Sequence, residues 1–331
     1  MSTYLQYNNH MILHPTDSSK YISVILDPLN PLKLPDYTIR LLYKDGVTPT
    51  FDKGTATQVS SSPNVWDLTY QNSNWRNLLS GSVDGGQDVH RYSLLKVIGA
   101  NTSGVTNMSR MLCTCEYLEE VALFDMSSVT TTQEMFLNCE GITSVPDYDT
   151  RNVTNFVEMF GQSGLVVAPN LDTRSATDLS TMFFRCHNLT FVPAYNTSSV
   201  TDMGGMFWQC QSLTSVPMMD TSNVTDMNTM FDGCRSLTTV PLFDTSSVTD
   251  MGRMFYECEA LTTIPLFDTS SVTNMDNAFR YCYNVTSGAL ALYQQASTQS
   301  TPPSHANTFY LCGSDTPSGA AELAQIPDDW K

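Results

Sequence analysis

The chain has 331 residues, 41% of them hydrophobic, and carries 16 basic against 33 acidic side chains for a formal net charge of -17. So acidic a balance repels phosphate backbones and anionic lipid, which excludes nucleic acid as a partner. No apolar run reaches the ~18 residues that a membrane-spanning helix needs, so no membrane insertion is expected.

The N-terminus, MSTYLQYNNHMILHP, lacks the basic region and following apolar stretch of a secretory signal. Residues 1–62 do not repeat. Their β-branched runs YISVIL and YTIRLLY, bounded by PLNP and KDG, predict strands and a hairpin turn, a small β-rich leader that docks the chain or extends its cap. Lysine is concentrated in the first third of the chain, at Lys20, Lys33, Lys44, Lys53 and Lys96, and recurs only at Lys331, a compositional break near residue 95.

Residues 63–287 read as a repeat array. A frame beginning at Asp125 returns at Asp149, Asp172, Asn196, Asp220, Asp244 and Asp268, in steps of 24 with a single step of 23 between Asp149 and Asp172. Valine recurs at Val105, Val129, Val153, Val200, Val224, Val248 and Val272, with Ala176 as the exception. A Met-x-x-Met-Phe stripe follows, as in Met251, Met254 and Phe255, whose i, i+3, i+4 spacing predicts the inward side of a helical turn. Then comes Leu-x-x-Val-Pro, as in Leu213, Val216 and Pro217, read as a short extended segment ended by proline. Each unit is thus a short strand, a turn and a helical turn that can bury its apolar side only against its neighbours. The start matches loosely, through Val65, Leu68, Trp75, Leu78 and Leu79. The end, 288–331, reads as a C-terminal cap: GALALYQQAS has helical character, STQSTPPS is a loop, and Phe309 with Cys312 restores the frame before AAELAQIPDDWK.

Units such as DTSNVTDMNTMFDGCRSLTTVP and DTSSVTDMGRMFYECEALTTIP resemble the BspA-like, bacterial-surface leucine-rich repeat, also found in mycoplasma-type lipoproteins. The resemblance covers about residues 95 to 285. It implies a solenoid of α/β repeats, short parallel strands plus helical turns, used for adhesion or protein binding, in secreted bacterial proteins and in some phages of gut bacteria. Joined to the missing signal, it predicts a non-enzymatic protein displayed on a virion as a fibre, decoration or host-attachment protein, its leader docked on other virion proteins. A bacterial cell-surface adhesin and a purely structural virion protein are the alternatives. Homo-oligomerisation is compatible with such a role, although no coiled-coil pattern is present.

Three columns bear on chemistry. Seven of nine cysteines share one column, Cys115, Cys139, Cys186, Cys210, Cys234, Cys258 and Cys282, with Ser163 in the gap. Buried thiols filling space are preferred there over bridged pairs, and C-x-x-C zinc signatures are missing. The recurring aspartate predicts turn closure through its own downstream N–H groups, with a calcium ladder as the alternative. A second column, Asp178, Asp202, Asp226 and Asp250 with Asn155 and Asn274, is expected to cap the helical turn. No nucleophile, base and orienter set appears, and no cofactor is expected. Binding to a protein or glycan on a bacterial surface is assigned to the variable columns: Thr190, Phe191, Thr214, Ser215, Thr238, Thr239, Thr262 and Thr263 on the strand side, and the aromatics Phe184, Trp208 and Tyr256 on the helical side.

Overall fold

The structure, a computed structural model, describes residues 34–51, 53–79 and 92–331, together with the backbone of 4–7 and 10–13. The expected strand YISVIL lies outside the described residues. Strands β1 (Tyr4–Tyr7) and β2 (His10–Leu13) form an antiparallel pair. A five-stranded sheet follows, built from β3 (Thr38–Tyr43), β4 (Thr55–Ser61), β5 (Asn64–Thr69), β6 (Leu94–Asn101) and β7 (Glu120–Val121), in the order β4-β5-β3-β6-β7. YTIRLLY thus forms a strand, but the KDG turn after it, where Gly46 has φ 79°, does not close a tight hairpin. Strand β4 lies beyond β5, and β3 pairs antiparallel with β5 and β6 instead.

Strand β6 joins leader to array. It is antiparallel to β3 on one edge and parallel to β7 on the other, and β7 lies one coil on. The sheet therefore spans both sides of the boundary expected at residue 62. Ile39, Leu41, Tyr43 and Leu68 belong to the same buried cluster as the coil residues. The described part of the leader thus shares its sheet and its buried cluster with the first coils.

Beyond β7 the chain forms stacked coils held by two ladders. On one, single parallel bridges join Asn107 to Thr131, Thr131 to Asn155, Asn155 to Asp178, and so on through Asp202, Asp226, Asp250 and Asn274, each to its counterpart one coil later. On the other, the amides of Thr190, Thr238, Thr262 and Thr286 donate to Val166, Thr214, Thr238 and Thr262. The extended segments are one or two residues long at these sites.

The third side departs from expectation. The Met-x-x-Met-Phe stripe is buried as predicted, but it forms no α-helix. Along residues 227–234 the amides of Met227, Thr229, Phe231 and Gly233 donate to Asp250, Gly252, Met254 and Tyr256 of the next coil. Those between them, Met230, Asp232 and Cys234, donate back to Met227, Thr229 and Phe231. The alternation is produced by two left-handed residues per coil, here Thr229 at φ 56° and Gly233 at φ 73°, which interrupt the right-handed dihedrals of a helix after one turn. Half of the donors are thereby turned toward the neighbouring coil, and the stack gains a hydrogen-bond ladder that a helix would have kept to itself.

Inside, one phenylalanine per coil stacks on the next: Phe136, Phe160, Phe183, Phe207, Phe231, Phe255, Phe279 and Phe309, with centroids 5.2 to 5.9 Å apart and planes within 13°. Buried threonines lock the outer corner: the hydroxyls of Thr173, Thr197, Thr221 and Thr245 donate to the carbonyls of Asn196, Asp220, Asp244 and Asp268 at 2.8 Å. The cap is formed by α1 (Ala289–Ser297), α2 (Pro317–Leu323) and a 3-10 turn at Asp328–Trp330. Trp330 closes the aromatic stack: its carbonyl accepts from the Phe309 amide at 2.9 Å, and its ring lies 6.3 Å from Phe309 and 4.1 Å from His305.

Candidate binding site

Cysteines and aspartates, the residues with the most chemical potential, are engaged by the fold. Cys139, Cys186, Cys210, Cys234, Cys258, Cys282 and Cys312 are buried free thiols. They are more than fillers. The thiols of Cys186, Cys210, Cys234, Cys258 and Cys282 each donate to a phenylalanine carbonyl in the preceding coil, at 3.0 to 3.1 Å. Burial pushes the Cys186 thiol up to about 11 and the others higher, so all stay protonated as this role requires. In the recurring aspartate column, the Oδ1 atoms of Asp125, Asp220, Asp244 and Asp268 accept the amide of the second residue on, at 2.8 to 3.1 Å, and Asn196 does the same at 3.2 Å. Hydrogen bonds from Ser222 and Ser246 hold Asp220 and Asp244 below the usual carboxylate range. Asp178, Asp202, Asp226 and Asp250 also accept an amide two residues on, closing the left-handed turn in place of the expected helix. Among the described residues no group of three or more His, Cys, Asp or Glu is placed to hold a metal ion.

On the strand side Thr190, Phe191, Thr214, Ser215, Thr238, Thr239, Thr262 and Thr263 are all exposed, Phe191 at 57%. The two rows differ. Thr190, Thr238 and Thr262 donate their hydroxyls to carbonyls one coil back at 3.0 to 3.2 Å, so that row belongs to the ladder. Phe191, Ser215, Thr239 and Thr263 form the row that faces outward.

On the turn side Phe184, Trp208 and Tyr256 are half-buried. Phe184 lies in the space left by Gly161 and stacks on Trp208 at 6.0 Å and 21°. The column is then interrupted: its next position is Asp232, which separates Trp208 from Tyr256. Tyr256 instead meets Tyr281 at 5.5 Å, and Tyr281 meets Tyr283 and Tyr310 at 5.8 and 5.7 Å. Arg253 sits 3.8 Å over the Tyr256 ring, and Arg280 lies over Tyr281 and Tyr310. Neither Tyr281 nor Tyr310 stands at a 24-residue step from Tyr256: Arg280 holds the column's position in its coil with Tyr281 one residue beyond it, and Tyr310 comes 30 residues after Arg280.

Asp232 is 3% exposed and accepts from Arg253 at 2.7 and 2.8 Å. Desolvation outweighs that pairing and pushes its carboxyl up to about 6. Because this folded value lies above the unfolded one, the burden on stability is absent below about pH 4, grows as pH rises toward 6 and is complete above it. Asp232→Asn, which mimics the neutral acid, is therefore expected to stabilise the protein by about 2 kcal/mol at pH 8 and by little at pH 4. Urea unfolding at the two pH values measures this; destabilisation at pH 8 would show that the Arg253 pairing prevails.

The fold and these surfaces define a protein of stacked repeating coils with exposed polar and aromatic rows. Residues 88–189 and 177–292 match a family described as a Mycoplasma protein of unknown function, DUF285. The two matches together cover more than half of the chain, and the chain belongs to that family. This agrees with the BspA-like, mycoplasma-type resemblance drawn from the coil sequences. Among solved structures, a leucine-rich repeat protein from Bacteroides ovatus ATCC 8483 is similar at 18% identity and a TM-score of 0.42, over 72% of this chain and 64% of that one. The match thus spans less than two thirds of that protein's length. Among curated proteins none matches.

Proposed function

We propose that the chain is a solenoid of 24-residue coils acting as a non-enzymatic binding protein on an exterior surface, with a bacterial surface protein or glycan as its target. The observation that carries this reading is the aromatic surface of the turn side, where Phe184 and Trp208, then Tyr256, Tyr281, Tyr283 and Tyr310, lie partly open in contact with arginines. Tyrosine, tryptophan and arginine are the residues that contribute most at binding surfaces, and rings open on one face stack on sugars. A non-enzymatic role is supported by the recurring carboxylates and thiols, which hold turns and carbonyls as described. Display on a virion, or on a cell as the alternative, is proposed from the surface-type repeat.

The test is binding of the purified full chain to intact bacterial cells and to a glycan array, beside Trp208→Ala and a Tyr283→Ala/Tyr310→Ala variant. Retained folding with binding weakened about tenfold or more supports the reading. Binding equal to that of the parent chain in both variants moves the site off the turn side, and no binding by any form overturns the proposal.

A further inference from the structure

A row of side chains outside the surfaces above carries an inference of its own. After the proline of these coils the burial alternates strictly, and the amides of Phe243 and Phe267 turn back onto the Pro241 and Pro265 carbonyls, which puts Leu242 and Leu266 at the tip of a tight turn. Met218, Leu242 and Leu266 point outward at 60%, 58% and 56% exposure; Met219, Phe243 and Phe267 point inward; and Asp220, Asp244 and Asp268 point outward again. The apolar residue and the aspartate two positions on are thus both outward in each of these coils. Three exposed apolar side chains in consecutive coils therefore run beside a parallel row of three carboxylates. The same column holds Asp147, Asn170 and Ala194 in the preceding coils, so the apolar row is confined to this end of the array, and it stops where α1 begins. Large apolar side chains repeated at one exposed position are uncommon on a free surface and mark a contact.

The occupant is defined by spacing and charge. Neighbouring coils are about 5 Å apart, from bridged backbones about 4.8 Å apart and stacked rings 5.3 to 5.6 Å apart, and the row repeats once per coil. An α-helix advances about 5.4 Å per turn, whereas successive side chains on one face of a strand are about 6.7 Å apart, so a helix keeps step with the row and a strand drifts from it. The carboxylates alongside require positive charge on one flank of that helix. We infer that Met218, Leu242 and Leu266 with Asp220, Asp244 and Asp268 form a docking surface for a cationic amphipathic helix of a partner protein, lying along the stack with one apolar side chain per turn on the row and Lys or Arg over the carboxylates. This goes beyond the reading given under Proposed function and shares no residue with the aromatic surface, so either can fail without the other.

The probe is a fluorescently labelled synthetic peptide of about 15 residues, with Leu at i, i+4, i+7 and i+11 and Lys on one flank, titrated into the full chain. Two variants keep the fold: Leu242→Ser/Leu266→Ser changes only exposed side chains, and Asp220→Asn/Asp244→Asn/Asp268→Asn retains the turn that Asn196 already makes in this column. Each is expected to weaken binding about tenfold or more. Leu123→Ser, an equally exposed leucine of the same column standing alone, is expected to change nothing. Equal binding of a scrambled peptide with the same charge, an effect of Leu123→Ser as large as that at Leu242 and Leu266, or no loss in either surface variant would overturn the inference. So would a dimer of the parent chain in sedimentation that the leucine variant dissociates, because the row would then be covered by a second copy.

Discussion

Phe231→Ala is expected to lower stability by about 3 to 5 kcal/mol, the range for deleting a fully buried phenylalanine side chain. The ring is fully buried, with Phe207 at 5.6 Å on one side, Phe255 at 5.3 Å on the other and Phe243 at 6.2 Å. The coil cannot collapse into the space left behind, because its backbone is pinned on both sides by coil-to-coil hydrogen bonds. The Phe231 amide donates to Met254, and its carbonyl accepts from the Cys234 amide and from the Cys258 thiol at 3.1 Å. In a stack where each coil contacts only its neighbours, the damage should stay local. Hydrogen exchange should therefore report lost protection mainly in the coils around residues 207–255, while urea unfolding reports the total loss. A loss below about 1 kcal/mol would mean that the aromatic column contributes little beyond filling space.

Much of this interior was legible in the sequence because a column that recurs every coil has one environment. The phenylalanine, valine and leucine columns are buried wherever they occur. The local conformation was not legible. Apolar residues at i, i+3 and i+4 suit one turn of helix and equally a turn interrupted by a left-handed residue, and the usual signal for the latter, glycine, is mostly absent. Arg253 and Glu257 both have φ 56°, and Arg110 and Glu134 have 55° and 54°. The cost of each is met by the inter-coil hydrogen bond that the turned amide makes, a long-range term that no local pattern displays.

The candidate surfaces divide in the same way. Exposure of the Thr190 and Thr262 row was readable, but which hydroxyls face out and which serve the ladder depends on the register between coils. Interruption of the aromatic column at Asp232 was readable in principle, because the frame assigns that residue the same position as Trp208 and Tyr256. Met218, Leu242 and Leu266 escaped notice because an apolar residue after a Val-Pro step reads as the continuation of a buried strand. Only the alternation with Met219, Phe243 and Phe267 shows that it is the next residue that turns inward.

The single step of 23 leads to the second large effect, at Gly164. Other coils have two residues between the cysteine column and the following leucine, such as Arg235 and Ser236 between Cys234 and Leu237; here Gly164 alone lies between Ser163 and Leu165. The shortened chain draws this backbone against the preceding coil, and a Cβ at Gly164 would overlap the carbonyl oxygen of Glu140 and stand 3.0 Å from that of Ile142. Both neighbours are backbone, so no rotamer change relieves the contact and the two coils must move apart. Their separation is fixed by the rings of Phe136 and Phe160, 5.5 Å apart, and by the amides of Glu134, Phe136 and Asn138 donating to Val157, Met159 and Gly161. Gly164→Ala is therefore expected to cost about 3 kcal/mol or more, well above the ~1 kcal/mol of an average substitution. Inserting one residue after Gly164, which restores the 24-residue step, should recover much of that loss in the same alanine background. Urea unfolding of the two variants beside the parent chain decides it: a near-neutral Gly164→Ala would mean that this coil can shift freely against its neighbour, and a failed rescue would place the strain elsewhere than in the missing residue.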